Sequence, residues 1–199
     1  MRKLIYILVI TTLSLFNTIS SAYNSDPSIF ISELMDDTNN ILSDKNISKI
    51  DKNKKIKDIA LENIDINALG MYTLGNIRKT LDEDTLKKYK DLFEKYFLKN
   101  LTSRLTEYSE NNLEIVSADQ KSKTYTIVNS KILKTSSKPE IKISWRIYTK
   151  DPTKPLIRDL IVEGLSLAKT QKEEFASILN SNNNDINILF SKLQEYINN

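Results

Sequence analysis

Apolar positions along the chain change their period twice. Through the first half they recur every three or four residues, the mark of helices with one buried face. Ile31, Leu34, Met35, Thr38, Ile41 and Leu42 share one side of a first helix. Ser25 or Asp26 suits its cap and Pro27 its first turn. A shorter helix is expected over about 48–63, with Ile56, Ile59 and Ala60 inward. In the block 64–75, Asp65 is placed to cap and Gly75 to stop a further helix. The longest pattern starts near Thr80, where Thr80 and Glu83 have capping-box spacing. Leu86, Tyr89, Phe93, Phe97, Leu101, Leu105 and Tyr108 then form a stripe over more than twenty residues, with charges opposite. Such a helix must cover something apolar. That can be a core sheet or a ligand chamber beside it.

After Asn112 the pattern shifts toward alternation. Residues 113–118, 124–133, 141–149 and 156–162 read as four strands, rich in Ile, Val, Thr and Tyr. Ile141, Ile143, Trp145 and Ile147 alternate with Lys142, Ser144, Arg146 and Tyr148. One face is therefore buried and the other partly polar, as in an antiparallel sheet covered mainly on one side. The links 119–123, 136–140 and 150–155 are hairpin-like. Two helices close the chain, over 166–179 and 185–197, the last with Ile186, Leu189, Phe190, Leu193 and Tyr196 as its apolar positions. Helices, then strands, then helices give an α+β fold, with about four antiparallel strands between N-terminal and C-terminal helices.

Residues 1–22 stand apart. Arg2 and Lys3 precede an apolar run from Leu4, and Ser20, Ser21 and Ala22 follow it. That is the layout of a cleaved secretory signal. The expectation is a signal at 1–22 and a single domain at 23–199.

The 29 basic and 26 acidic residues are interspersed, which gives little support to a nucleic-acid partner. There is no cysteine and no histidine. Disulfides, the usual zinc sites and Ser-His-Asp or Cys-His catalysis are thereby excluded. The most compact polar motif is Arg158-Asp159-Leu160-Ile161-Val162-Glu163-Gly164-Leu165-Ser166. Asp159, Ile161 and Glu163 share one face if the strand runs that far. Asp159 and Glu163 could act as a general acid and base, which defines one rival reading, a carboxylate-dependent hydrolase. The structural reading is stronger. In it Gly164 makes the strand exit, Ser166 caps the next helix, and the acids pair with Arg146, Arg158 or backbone amides. Asp82-Glu83-Asp84 reads as a negatively charged first helical turn, so no metal site is expected.

The stretch Asp159-Leu160-Ile161-Val162-Glu163-Gly164-Leu165-Ser166-Leu167 resembles the MlaC family of periplasmic phospholipid-binding proteins, also called the toluene-tolerance Ttg2D family. Leu69-Gly70, the long helix with Tyr89, Phe93, Phe97, Leu98, Leu101 and Tyr108, the strand Ile143-Ser144-Trp145-Arg146-Ile147, and Phe175 in the following helix extend the likeness over roughly 29–196. Two segments depart from the usual pattern. The approach to Asp159 is Pro152-Thr153-Lys154-Pro155-Leu156-Ile157-Arg158, and Thr170-Gln171-Lys172 stands where many members have a Tyr-Arg pair. The resemblance implies a twisted antiparallel sheet and helices enclosing an apolar cavity. It implies a periplasmic, non-catalytic carrier with no cofactor and a phospholipid as cargo. Its partners would be an outer-membrane lipoprotein–porin complex and an inner-membrane ABC transporter with an MCE-domain subunit. The pocket candidates, taken from the inward faces of the long helix, the strands and the last helices, are Leu86, Tyr89, Phe93, Phe97, Leu101, Leu105, Ile143, Trp145, Ile147, Phe175, Leu189 and Leu193, each of which can equally be a plain core residue. Asp159, Glu163, Gly164 and Ser166 would be structural. The other rival is an envelope adaptor with a filled core and no ligand.

Overall fold

A computed structural model describes residues 23–105, 113–134, 136 and 139–199. The expected signal at 1–22, and Tyr108, lie outside the described residues.

Three helices open the described chain, each with the cap its sequence offers. In α1 (Pro27–Ser43) the Asp26 carboxylate accepts from the amides of Ser28 and Ile29 at 2.9 and 3.1 Å. The Ser48 hydroxyl accepts from the Asp51 amide at the start of α2 (Lys49–Asn63). Asp65 caps α3 (Ile66–Thr73) through the Ala68 amide. Gly75, at φ +64°, takes the left-handed turn that ends α3. Gly70 has a different job: a Cβ there would sit 2.8 Å from Phe93 Cδ1, so its bareness lets α3 lie against α4 (Glu83–Leu105).

The start of α4 corrects one expectation. Thr80 ends a short 3-10 turn, Gly75–Lys79, and its hydroxyl donates to the Ile77 carbonyl at 2.8 Å. The helix begins only at Glu83, so Asp82 becomes the cap and accepts from the Thr85 amide at 2.7 Å.

The sheet is antiparallel with five strands in chain order. They are β1 (Leu113–Ser122), β2 (Tyr125–Ile132), β3 (Ile141–Tyr148), β4 (Leu156–Val162) and β5 (Leu165–Ser166). β1 outruns the expected 118 because Asp119, Gln120 and Ser122, although polar and exposed, still pair with β2. The fifth strand is a two-residue edge. Glu163 and Gly164, at φ +49° and +82°, make the tight turn before it. β4 therefore stops at Val162, and Glu163 does not share a strand face with Asp159 and Ile161. Helices α5 (Leu167–Asn180) and α6 (Ile186–Asn198) follow.

Apolar side chains gather in two clusters. One joins α1 to the sheet: Phe30, Ile31 and Leu34 against Val128, Ile143, Trp145, Ile147 and Ile157. The other is helical, with Tyr89, Leu92 and Phe93 of α4 against Phe175, Leu179, Leu189, Phe190 and Leu193 of α5 and α6. Ile64 packs against both. The Asp65 amide donates to the Ile157 carbonyl at 2.9 Å. Arg158 grips the Asp65 carboxylate through Nε and Nη2 at 2.9 and 2.7 Å and stacks on Tyr148. Among the described residues, no helix is long and apolar enough to cross a membrane.

Candidate functional site

The two clusters do not meet along their whole length. α4 makes its close contacts with α2, α3 and α6, whereas α1 makes its own with β1, β2 and α2. Helices α3 and α5, which both pack on β4, join the layers. Between these joints lies a cavity of about 440 Å³, within the range of roughly 300–1,000 Å³ usual for ligand sites. Leu34 and Met35 of α1 form one wall, with Ile56, Ile59 and Ala60 of α2. Phe93, Phe97, Leu101 and Leu105 of α4 face them. Trp145, Ile157 and Leu160 close it on the sheet side, and Leu167 and Ala168 of α5 complete it.

Its inner polar groups already have partners. Thr38 donates to the Leu34 carbonyl, Asn63 to that of Ile59, and Thr73 to that of Gly70. Trp145 Nε1 donates to Ser130 Oγ at 2.8 Å. Among the described residues no buried side-chain nitrogen or oxygen lacks a partner. A wall of this kind offers water little to bond to and suits hydrocarbon. The lining residues exposed to solvent are Arg104 at the end of α4 and Leu167, Thr170 and Glu174 on α5. They mark the mouth.

Asp159 lies at the α5 joint and is only 5% exposed. It accepts from Ser166 Oγ at 2.6 Å and from the amides of Leu160 and Ala168 at 2.8 and 3.0 Å, with Arg146 Nη1 at 3.5 Å. Ser166 Oγ in turn caps α5 by accepting from the Lys169 amide. Arg158 serves Asp65 instead. The Glu163 carboxylate accepts from the Lys142 amide, and the Glu163 amide donates to the Lys142 carbonyl. That pair holds the left-handed residue in place. These carboxylates hold β4 to its neighbours, and they are not convergent partners in the manner of a general acid and base. No cluster of metal-ligand residues is present among the described residues.

Of the pocket residues suggested by sequence, Phe93, Phe97, Leu101, Leu105 and Trp145 line the cavity. Leu86, Tyr89, Phe175, Leu189 and Leu193 lie in or against the helical core, and Ile143 and Ile147 in the sheet core. Burial raises the Tyr89 hydroxyl well above the ordinary tyrosine pKa, and that hydroxyl lies 2.9 Å from Thr73 Oγ1. The α1 and α2 walls were not anticipated. Ile56, Ile59 and Ala60 form a thin apolar stripe on a lysine-rich helix, and that thinness was the available signal.

A family model described as MlaC protein matches residues 32–195. Among solved structures, the chain is similar to a phospholipid-binding protein from Ralstonia solanacearum, determined in complex with a phospholipid. The two are 16% identical, with a TM-score of 0.68, over 84% of this chain and 94% of that one. This is a likeness of fold. No curated protein matches the sequence.

Proposed function

This chain belongs to the MlaC family of periplasmic, non-catalytic lipid carriers, and on that premise we propose that its cavity holds the acyl chains of a phospholipid while the headgroup stays at the mouth. The observation that carries the reading is the apolar space between α4 and the sheet, whose buried polar atoms are already satisfied. Each methylene moved there from water gains about 0.8 kcal/mol. Two acyl chains therefore bind strongly without a precise set of polar contacts. The Ralstonia protein, similar in fold, was solved with a phospholipid, which supports the same cargo here.

In this proposal residues 23–199 act as one lipid-binding unit. Family membership supports a route on which it exchanges lipid with an outer-membrane lipoprotein–porin complex and with an inner-membrane ABC transporter bearing an MCE-domain subunit.

The chain's single tryptophan, Trp145, lines the cavity and gives a direct test. Phospholipid brominated along its acyl chains should quench the Trp145 emission, whereas unbrominated lipid should not. Mass spectrometry of organic extracts should find phospholipid in the protein purified from its native envelope. An unquenched tryptophan together with lipid-free extracts would defeat the proposal.

A further inference from the structure

The cavity mouth carries a polar chain that the storage of acyl chains does not require. Arg104 Nε donates to Asn100 Oδ1 at 2.7 Å. Asn100 Nδ2 donates to the Tyr96 hydroxyl at 3.5 Å, and that hydroxyl donates to Gln171 Oε1 at 2.8 Å. Gln171 Nε2 donates to Glu174 Oε2 at 2.8 Å. All five residues line the cavity. Every bond runs the same way, from a cation on α4 to an anion on α5, so each link polarises the next. Burial raises the Tyr96 hydroxyl above its ordinary pKa, which keeps it a donor across the physiological range.

The two ends are exposed. Among the described residues, neither Arg104 nor Glu174 takes part in an ion pair. Arg104 uses Nε on Asn100, and Glu174 uses Oε2 on Gln171. The Nη groups of the first and Oε1 of the second stand outside the chain. A guanidinium recognises a phosphate diester through paired N–H donors. A carboxylate recognises a primary ammonium, which has three N–H donors. A quaternary ammonium has none.

We propose that this rim selects a zwitterionic headgroup, with the lipid phosphate on Arg104 and a primary ammonium on Glu174, so that phosphatidylethanolamine is favoured over phosphatidylcholine and phosphatidylglycerol. The inference rests on the carrier reading and deepens it. The selectivity is modest, because exposed charge pairs are weak and salt-screened.

The test strips the purified protein of lipid and offers it vesicles holding the three phospholipids in equal amounts with identical acyl chains. The protein is then re-isolated and its bound lipids are counted by mass spectrometry. Phosphatidylethanolamine should be enriched roughly two- to five-fold, the scale of an exposed charge pair. Glu174→Gln should bring it down to the level of phosphatidylcholine, and 0.5 M salt should do the same. Arg104→Gln should lower uptake of all three relative to diacylglycerol, which has the chains but no phosphate. Millimolar inorganic phosphate should leave the lipid ratios unchanged. Uptake in vesicle proportions, or an unchanged preference in Glu174→Gln, would overturn the rim assignment while the carrier reading stands. Displacement of lipid by inorganic phosphate would also overturn it, by making the rim a phosphate site. No uptake of any lipid would overturn the carrier reading itself.

Discussion

The two halves of α4 carry the same kinds of side chain and meet different fates. In the first half Tyr89 and Leu92 are buried, Leu86 packs beside them, and α3 and α6 close over that face. In the second half Phe97, Leu101 and Leu105 continue the stripe, yet they look into open space toward α1, α2 and Trp145. Leu98 and Thr102 are nonetheless buried. The stripe thus tells which side of a helix is inward. It does not tell whether that inward side is filled, because filling depends on how far away the opposing layer stands. A ligand site can be made this way from ordinary core residues, by holding two layers apart at their joints.

Matched truncations test this difference most strongly. Leu189→Ala removes a fully buried side chain from the filled helical cluster and should cost about 2–5 kcal/mol, as buried leucines generally do. Leu101→Ala borders a space that already exists, so it should cost only about 1 kcal/mol in lipid-free protein, since little new cavity is created. Urea denaturation of both variants, stripped of lipid, measures the gap. Equal losses would mean that the two halves are packed alike.

Much of this division was hidden in the sequence for a physical reason. The helices, their order, the alternating strands and most caps follow from local chemistry, so Asp65 and Ser166 cap where they were expected to, and of Ser25 and Asp26 it is Asp26 that caps α1. Thr80 misled because capping-box spacing does not reveal where a preceding 3-10 turn ends. The cavity was harder to read. Leu189 and Leu101 are chemically the same, and only the position of α6 makes one core and the other wall. The Ile56, Ile59 and Ala60 wall is harder still, since it comes from a helix whose composition looks almost wholly solvated. The rim chain joins residues up to 75 positions apart, and no local pattern links Tyr96 to Gln171.

Enlarging a side chain sharpens the contrast from the other direction. Ala60 is buried and lines the cavity, so Ala60→Leu has room to grow into. Its stability should stay within about 1 kcal/mol of the parent, whereas Leu193→Phe in the filled cluster should cost about 1–3 kcal/mol through overpacking. Ala60→Leu should also reduce the phospholipid recovered per protein, because the added methylenes occupy the space of the cargo. Thermal melts and lipid extraction together decide it. An Ala60→Leu protein that is destabilised as much as Leu193→Phe and keeps its full lipid load would show that the space is not the cargo site.

The smallest effect concerns how the filled half is anchored at its start. The Asp82 carboxylate is held below the ordinary aspartate pKa of 3.8 by the amide and hydroxyl of Thr85. A depressed carboxylate stabilises the fold above its unfolded pKa, and that contribution fades as pH falls through the folded value. Asp82→Ala should therefore lower the melting temperature at pH 7 and converge on the parent in acid. Thr80→Ala removes only the hydroxyl that closes the preceding turn, so it should change little and keep the parent's pH profile. Melts of both variants between pH 7 and pH 2.5 distinguish the two caps. If Thr80→Ala cost more than Asp82→Ala at neutral pH, the helix would begin at the capping box, and the filled half of α4 would be about half a turn longer than it is here.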